Sequence, residues 1–264
     1  MFVDNETLWR ATVAMNPDSW MAHDNLGVAL SQNQKTEEAI AEINKALALR
    51  PDSAETYSNL GNVLLQNGEI DEAIASYKKS LALDPLNPNI HYNLGNVMLH
   101  QKKQPDEAIL HLEKCIEIEI GRGIPENAFA HYDLGVAFCK KRRFEKAVAH
   151  YRQALKILPE FEPALSKLAW ILATCPESTL RNGPQALELA LHSNQLAGGR
   201  NPFMLRTLAA AYAEVGQFND AIGTAQRALS IATMMSDTSL VETLQQQIQT
   251  YQAGEPFRDE SPER

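Results

Sequence analysis

A repeated spacing of small residues and prolines constrains this chain more than any other feature. A Leu-Gly pair recurs every 34 residues, followed by a small residue twelve positions later, another seven after that, and a proline five further on. The recurring residues are Gly27, Gly61 and Gly95; Ala39 and Ala73; Ala46 and Ser80; and Pro51 and Pro85. Small side chains let two helices cross closely, and proline ends a helix. The period therefore predicts a unit of two packed helices.

This order of residues resembles the tetratricopeptide repeat, a helix–turn–helix of 34 residues. The resemblance implies an all-α fold, a right-handed α-solenoid of about six repeats with a C-terminal capping helix. The predicted repeats are 20–53, 54–87, 88–127, 128–161, 162–201 and 202–235. The third contains extra residues in "EIGRGIPEN", which predict a longer exit loop.

The two ends of the chain fit the same architecture. Residues 4–19 are typical of the second helix of a truncated preceding repeat. Residues 237–253 have one apolar stripe and a glutamine-rich opposite face, as a capping helix requires, with Asp237 as the expected N-cap. We therefore predict a single solenoid over residues 1–253. The charged, proline-containing residues 254–264 are predicted to be a disordered tail.

Composition excludes several classes of protein. A net charge of −9 and a pI near 5.3 argue against nucleic-acid binding. Three widely spaced cysteines fit neither a disulfide framework nor a zinc site. No apolar run is long enough to insert into a membrane, and the acidic N-terminus predicts no signal peptide. The default expectation is a cytoplasmic protein.

Asparagines recur beside the Leu-Gly pairs. By resemblance to the family, counting Leu-Gly as positions 7 and 8, positions 6 and 9 face the concave groove, and these positions hold Asn25, Asn59, Asn62, Asn93 and Asn96. An amide donates and accepts hydrogen bonds, so it can bind the main chain of an extended peptide. The arrangement looks like the asparagine ladder of O-linked N-acetylglucosamine transferases. Alternatively, these amides only bond neighbouring helices.

The asparagines end after the third predicted repeat. Position 6 continues as Asp133 and Lys167, and Tyr92, Tyr132, Phe129 and Phe203 are candidate aromatic anchors. The candidate peptide-binding residues are therefore Asn25, Asn59, Asn62, Asn93, Asn96, Tyr92, Tyr132, Asp133 and Lys167. The family's two-carboxylate clamp is not expected, because its basic residues are missing from position 5 of the early repeats.

No pattern of catalytic, cofactor-binding or metal-binding residues stands out. His23, His91 and His131 share position 4 of their repeats, but they are whole repeats apart, which favours packing between helices over a metal site. We therefore predict a protein that is not an enzyme and needs no cofactor.

Two segments carry a further resemblance. "DNETLWRATVAMNPDSWMAHDNLG" near the start, and "LAWILATCPESTLRNGPQALELA" with "NPFMLRTLAAAYAEVGQFNDAI" near the end, are similar to the soluble C-terminal repeats of bacterial multi-spanning proteins related to dolichyl-phosphate-mannose glycosyltransferases. The resemblance implies an extracytoplasmic location, and none of the catalytic machinery is present.

The expected function is a scaffold that binds an extended peptide or protein segment in its groove. One alternative is an accessory domain that recruits acceptor proteins for a membrane glycosyltransferase. Another is self-assembly, in which the incomplete first repeat docks onto a second copy of the chain.

Overall fold

A computed structural model describes residues 4–260, which contain fourteen α-helices and no β-strand. The predicted all-α class is confirmed. These residues form two compact units, one ending at Pro125 and the other beginning at Glu126. The sequence predicts one solenoid over 1–253, and its continuity across Pro125 stays a prediction. Residues 1–3 and 261–264, at the ends of the predicted solenoid and tail, lie outside the described part of the chain.

The N-terminal unit contains seven helices. They are α1 (Asn5–Met15), α2 (Trp20–Gln32), α3 (Thr36–Leu49), α4 (Ala54–Gln66), α5 (Ile70–Leu83), α6 (Pro88–His100) and α7 (Pro105–Arg122). The helices α2, α4 and α6 are the first helices of their repeats, and each packs against the helix that follows it.

The C-terminal unit also contains seven α-helices. They are α8 (Ala128–Lys140), α9 (Phe144–Ile157), α10 (Glu162–Thr174), α11 (Gly183–Leu196), α12 (Pro202–Glu214), α13 (Phe218–Met234) and α14 (Thr238–Gln252). A single 3-10 turn, Ser178–Leu180, takes up part of the extra length between α10 and α11. Here the first helices are α8, α10 and α12, and α10 packs directly on α12.

The recurring glycines lie where the two helices of a repeat cross. A Cβ added to Gly61 would be 2.5 Å from the Tyr77 ring, and one added to Gly135 would be 2.4 Å from the Tyr151 ring. Both tyrosines are fully buried. Because a methyl group cannot fit at these distances, the missing side chains set the separation of the helices. This is the close crossing that the period predicts.

The turns between paired helices share one backbone conformation. Gly68 has a φ of +81°, and the corresponding residues Gln34 and Arg142 have φ values of +61° and +55°. The left-handed region suits glycine and strains other residues by about 1 kcal/mol. The turn is therefore imposed by the packing of the helices and does not require glycine.

The extra residues of the third repeat lengthen a helix more than a loop. Helix α7 has 18 residues, against 14 in α3 and α5, and it ends at Gly123 in the left-handed conformation. The sequence predicts a longer exit loop at this place. The structure differs because "CIEIEI" continues the alternation of buried and exposed faces, with Ile116, Ile118 and Glu119 buried.

The C-terminal end also differs from expectation. Helix α14 lies where the capping helix is predicted, and Asp237 accepts a hydrogen bond from Leu240 N at 3.0 Å. The sequence predicts disorder from residue 254 onward. Residues 255–260, named here the C-terminal segment, instead lie against α10 and α12, with Phe257, Arg258 and Asp259 half-buried.

Candidate functional site

The predicted amides of the N-terminal unit lie on its first helices and bond to neighbouring groups. The Asn25 amide donates to Met21 O of its own helix at 2.9 Å. The Asn59 amide donates to both carboxylate oxygens of Asp24, at 3.1 and 3.2 Å, and so joins α4 to α2. Burial raises the pKa of Asp24, and the bond from Asn59 opposes that shift.

Asn62 connects three helices. Its Oδ1 accepts a 2.7 Å hydrogen bond from Tyr77 Oη on α5 and a 3.2 Å bond from Asn93 Nδ2 on α6. Asn62 is exposed, whereas Asn96 and Tyr92 are half-buried and take part in interactions within the protein. Asn59, Asn62 and Asn93 thus join neighbouring helices, whereas Asn25 bonds its own helix. Each amide has two donors and an acceptor, so a bond to a helix does not exhaust its capacity.

The predicted residues of the C-terminal unit have unlike surroundings. Tyr132 is half-buried, its ring 5.2 Å from Phe161 and 5.8 Å from Tyr151 between centroids. Asp133 is only 3% exposed, so it lies below the surface that a ligand contacts. Lys167 is half-buried.

A cavity of about 290 Å³ lies beside α8, α10 and α12 in the C-terminal unit. Two predicted residues, Tyr132 and Lys167, line it, as does the exposed aromatic Phe203. Trp170, Arg206 and Asp259 also line it. The cavity is therefore partly aromatic and carries cationic side chains beside two carboxylates, Glu162 and Asp259.

Trp170 and Arg206 form the centre of this cavity. The Arg206 guanidinium carbon lies 4.1 Å from the centroid of the Trp170 ring, a cation–π contact. Arg206 Nε is buried and has no hydrogen-bond partner among the described residues. Burial lowers the pKa of Arg206, and the negative charge of Asp259 opposes that shift. A partly desolvated cation of this kind is stabilised by an anion.

The C-terminal segment supplies that anion. Trp170 Nε1 donates to Asp259 Oδ2 at 2.8 Å, and Asp259 N donates to Thr174 O at 3.0 Å. Arg142 donates to the main-chain oxygen of Glu260. A stretch of chain outside the helices is therefore held on α10 and at the α8–α9 turn by main-chain and side-chain bonds together.

Sequence reasoning did not select Trp170, Arg206 or the C-terminal segment. Trp170 and Arg206 occupy positions 9 and 5 of their repeats, and position 9 is also that of Asn62 and Asn96. The repeat register was the signal that could have found them. Arg258 and Asp259 had no such signal, because their partners Glu214 and Trp170 lie 44 and 89 residues earlier in the chain.

The histidines at position 4 pair within their own repeats. His91 Nδ1 lies 3.1 Å from His111 Nδ1, His131 Nδ1 lies 3.0 Å from His150 Nδ1, and His23 Nδ1 bonds Glu42 at 2.6 Å. Among residues 4–260, no three histidine, cysteine or acidic side chains are grouped so that they could hold a metal ion. Over the same range, no helix is both long enough and apolar enough to cross a membrane.

Two models of one repeat family match the chain. The model described as TPR repeat matches residues 27–68 and 61–102, and the model described as tetratricopeptide repeat matches residues 86–160. Together the matches cover just over half of the chain. They fall within the first four predicted repeats.

Solved structures share the fold. PilF of Pseudomonas aeruginosa is 21% identical with a TM-score of 0.71, over 86% of this chain and 96% of that one. PilW, described as a widely conserved type IV pilus biogenesis factor, is 17% identical with a TM-score of 0.69, over 86% and 98%. MamA is 22% identical with a TM-score of 0.52, over 61% and 98%.

Identities this low establish the fold alone. No curated protein matches the chain. The resemblance of the two ends to glycosyltransferase-like proteins has no counterpart in these comparisons and stays a prediction.

Proposed function

The chain belongs to the tetratricopeptide repeat family, and on that premise we propose that it is a non-catalytic scaffold that binds an extended segment of another protein. The observation that carries the proposal is the position of its own C-terminal segment. Residues 255–260 cross α10 and α12 and bond to both helices and to the α8–α9 turn. A partner segment would lie in the same way.

The first helices provide a surface that needs little rearrangement on binding. The cavity already exists, and its aromatic and cationic residues are held by packing, as in the contact of Arg206 with Trp170. Pre-formed sites avoid much of the entropy cost of ordering side chains when a ligand binds. A segment bound here gains main-chain hydrogen bonds and one buried aromatic anchor.

The amides of the N-terminal unit form a separate proposed peptide-binding surface within that unit. We keep Asn25, Asn59, Asn62, Asn93 and Asn96 as peptide-contacting residues in this proposal. Asn62 is exposed on α4 and already joins α5 to α6, so a peptide main chain would bind an amide whose orientation is set by Tyr77. Such a row selects an extended main chain and is indifferent to side chains.

The test is selection of peptides from a random library on three proteins. These are the unsubstituted chain, Asn59→Ala/Asn93→Ala, and Trp170→Ala. We expect the chain to retain extended peptides, and each variant to retain fewer. The Asn44→Ala/Asn219→Ala variant is the matched control, because both asparagines are exposed on second helices.

Circular dichroism and thermal unfolding of every variant accompany the selection. A chain that retains no peptide contradicts the scaffold proposal. If Asn59→Ala/Asn93→Ala binds normally but melts well below the control, those amides stabilise the helices and do not contact the partner. If only the Trp170→Ala variant loses binding, the working surface lies in the C-terminal unit.

Self-assembly through the incomplete first repeat has less support. Helix α1 already bonds to the next repeat of its own chain. Glu6 accepts hydrogen bonds of 2.7 Å from both Asn33 and Lys35, and Arg10 donates to Glu38 at 2.6 Å. The hydrogen bonds from Lys35, Asn33 and Arg10 lower the pKa of Glu6 to about 2. Recruitment of acceptors for a glycosyltransferase rests on the resemblance of the two ends alone.

A further inference from the structure

We propose that the cavity of the C-terminal unit recognises a partner segment with an aromatic side chain two residues before a carboxylate, and that Phe257 and Asp259 occupy this site until such a segment displaces them. The inference rests on the proposed function and adds to it the chemistry of the partner. Three features carry it: a site for the carboxylate, a site for the aromatic ring, and a cavity beside them.

The carboxylate site is made by Trp170 and Arg206. The indole N–H donates to Asp259 Oδ2 at 2.8 Å, and the guanidinium lies on the same ring at 4.1 Å from its centroid. Arg206 is half-buried, and its Nε finds no partner among residues 4–260. A neutral amide in place of the carboxylate would leave this cation without a counter-charge, so the site favours an acid.

The aromatic site lies beside the same tryptophan. The Phe257 ring centroid is 6.1 Å from that of Trp170, and Phe257 also packs on the cluster that contains Ala209 and Tyr251. Tyr251 is fully buried, so Phe257 packs on buried apolar residues. Phe257 and Asp259 are two residues apart and both lie at Trp170, so a partner segment would need the same spacing.

Arg258 holds the segment between these two sites. Its guanidinium bonds Glu214 at 2.6 Å and the main-chain oxygen of Ala173 at 3.1 Å. Glu214 also accepts from Arg181 at 3.1 Å. Because Arg181 also bonds Glu214, the Glu214 carboxylate remains paired when Arg258 leaves it. The segment can therefore dissociate without leaving a buried carboxylate unpaired.

The cavity remains open while the segment is bound. Its volume of about 290 Å³ lies next to Asp259 and is bordered by Tyr132, Lys167 and Phe203. An incoming segment can therefore contact the aromatic and cationic lining before the resident residues leave. Because the resident segment belongs to the same chain, its effective concentration at the site is on the order of millimolar. A partner therefore binds with an apparent affinity that is lowered by the fraction of molecules in which the resident segment occupies the site.

The experiment uses a fluorescein-labelled peptide of residues 254–260 and the full chain. Anisotropy is measured with the unsubstituted chain and with Phe257→Ala/Asp259→Ala, whose segment lacks both anchors. We expect the peptide to bind the Phe257→Ala/Asp259→Ala variant at least tenfold more tightly than it binds the unsubstituted chain. A second peptide, with asparagine at the position of Asp259, should bind the variant at least tenfold more weakly than the first, because it loses a charge-assisted bond.

Two further variants are made in the Phe257→Ala/Asp259→Ala background. Trp170→Phe keeps an aromatic ring and removes the N–H, so it should weaken both peptides, because an asparagine oxygen also accepts from the indole. Arg206→Gln removes the charge, so it should weaken the first peptide and leave the asparagine peptide little changed. Arg152→Gln, an exposed arginine on α9, is the matched control. Circular dichroism establishes that every variant is equally helical.

If the first peptide binds the unsubstituted chain and the Phe257→Ala/Asp259→Ala variant equally, the claim that Phe257 and Asp259 occupy the site is wrong. Equal binding of the two peptides overturns the preference for an acid. If the library selection succeeds while both peptides fail, the scaffold function stands and this inference is wrong. If neither the library nor the peptides bind, both are wrong.

Discussion

Tyr77 donates a 2.7 Å hydrogen bond to the side chain of Asn62, a residue that the sequence selects as a ligand-binding amide. Tyr77 is fully buried, and burial raises its pKa to about 12. The bond joins the core of the second predicted repeat to its surface. The orientation of an exposed amide is thus set by a buried ring.

Removing the Tyr77 hydroxyl removes its hydrogen bond to Asn62. Tyr77→Phe should lower the free energy of unfolding by about 1 kcal/mol, since a single hydrogen bond to an exposed amide is lost. Urea unfolding measures the change as a shift of the midpoint at constant slope. Tyr57→Phe, a half-buried tyrosine on α4, is the control and should change the midpoint little. Equal effects of the two substitutions would contradict the role of the bond.

Adding one methyl group should have opposite effects at two glycines of the C-terminal unit. Gly135→Ala places a Cβ 2.4 Å from Tyr151, which should cost about 1–3 kcal/mol. Gly223→Ala meets nothing within 4 Å on α13 and should stabilise the helix by up to about 1 kcal/mol. Thermal unfolding distinguishes them; melting temperatures that shift in the same direction would refute the packing account.

The paired imidazoles predict loss of stability in mild acid. Burial, then the charges of His131 and Lys146, lower the pKa of His150 to about 4. Between the ordinary histidine value of about 6.5 and pH 4, the unfolded chain therefore binds the proton more readily. The stabilisation is complete above pH 6.5 and is lost as the pH falls through that range.

The measurement is the melting temperature of the chain from pH 7.5 to pH 4. His150→Gln should flatten this profile, because the group that resists protonation has been removed. His192→Gln, on α11 of the same unit, should leave the profile unchanged in shape. An unaltered profile in His150→Gln would assign the acid sensitivity to other groups.

A buried glutamine predicts a stabilising substitution. Gln247 on α14 is fully buried, and neither atom of its amide has a partner among the described residues. Gln247→Met keeps the length of the side chain and removes the unsatisfied groups, so it should raise the free energy of unfolding by about 1–3 kcal/mol. Gln249→Met, exposed on the same helix, controls for helix propensity. A loss of stability would mean that the amide is bonded, for example by water.

The repeat pattern predicts what depends on local packing. Close helix crossings occur at Gly61 and Gly135, and Asp237 caps α14. Helices end just before Pro51, Pro85 and Pro159. Each of these features depends on residues within one repeat. The sequence predicts a longer exit loop after the third repeat, and the structure places most of the extra residues in α7, because the apolar spacing extends the helix where glycines suggest a break.

The candidate site depends on contacts that a local pattern does not contain. Asp133 occupies a position expected to face the groove, yet the structure buries it. Residues 255–260 have the composition of a disordered tail, and they are ordered by Trp170, Thr174 and Glu214, far away in the sequence. Charge and proline content describe a segment in isolation, whereas these contacts depend on what lies beside it.

The C-terminal segment also alters how the C-terminal unit unfolds. In a repeat array each repeat contacts only its neighbours, so melting can begin at one end and spread. The bond from Trp170 to Asp259 spans 89 residues, and that from Arg142 to Glu260 spans 118. Such links make fraying of α14 and loosening of α8 and α10 a single event. Displacing the segment would therefore turn a cooperative transition into a gradual one.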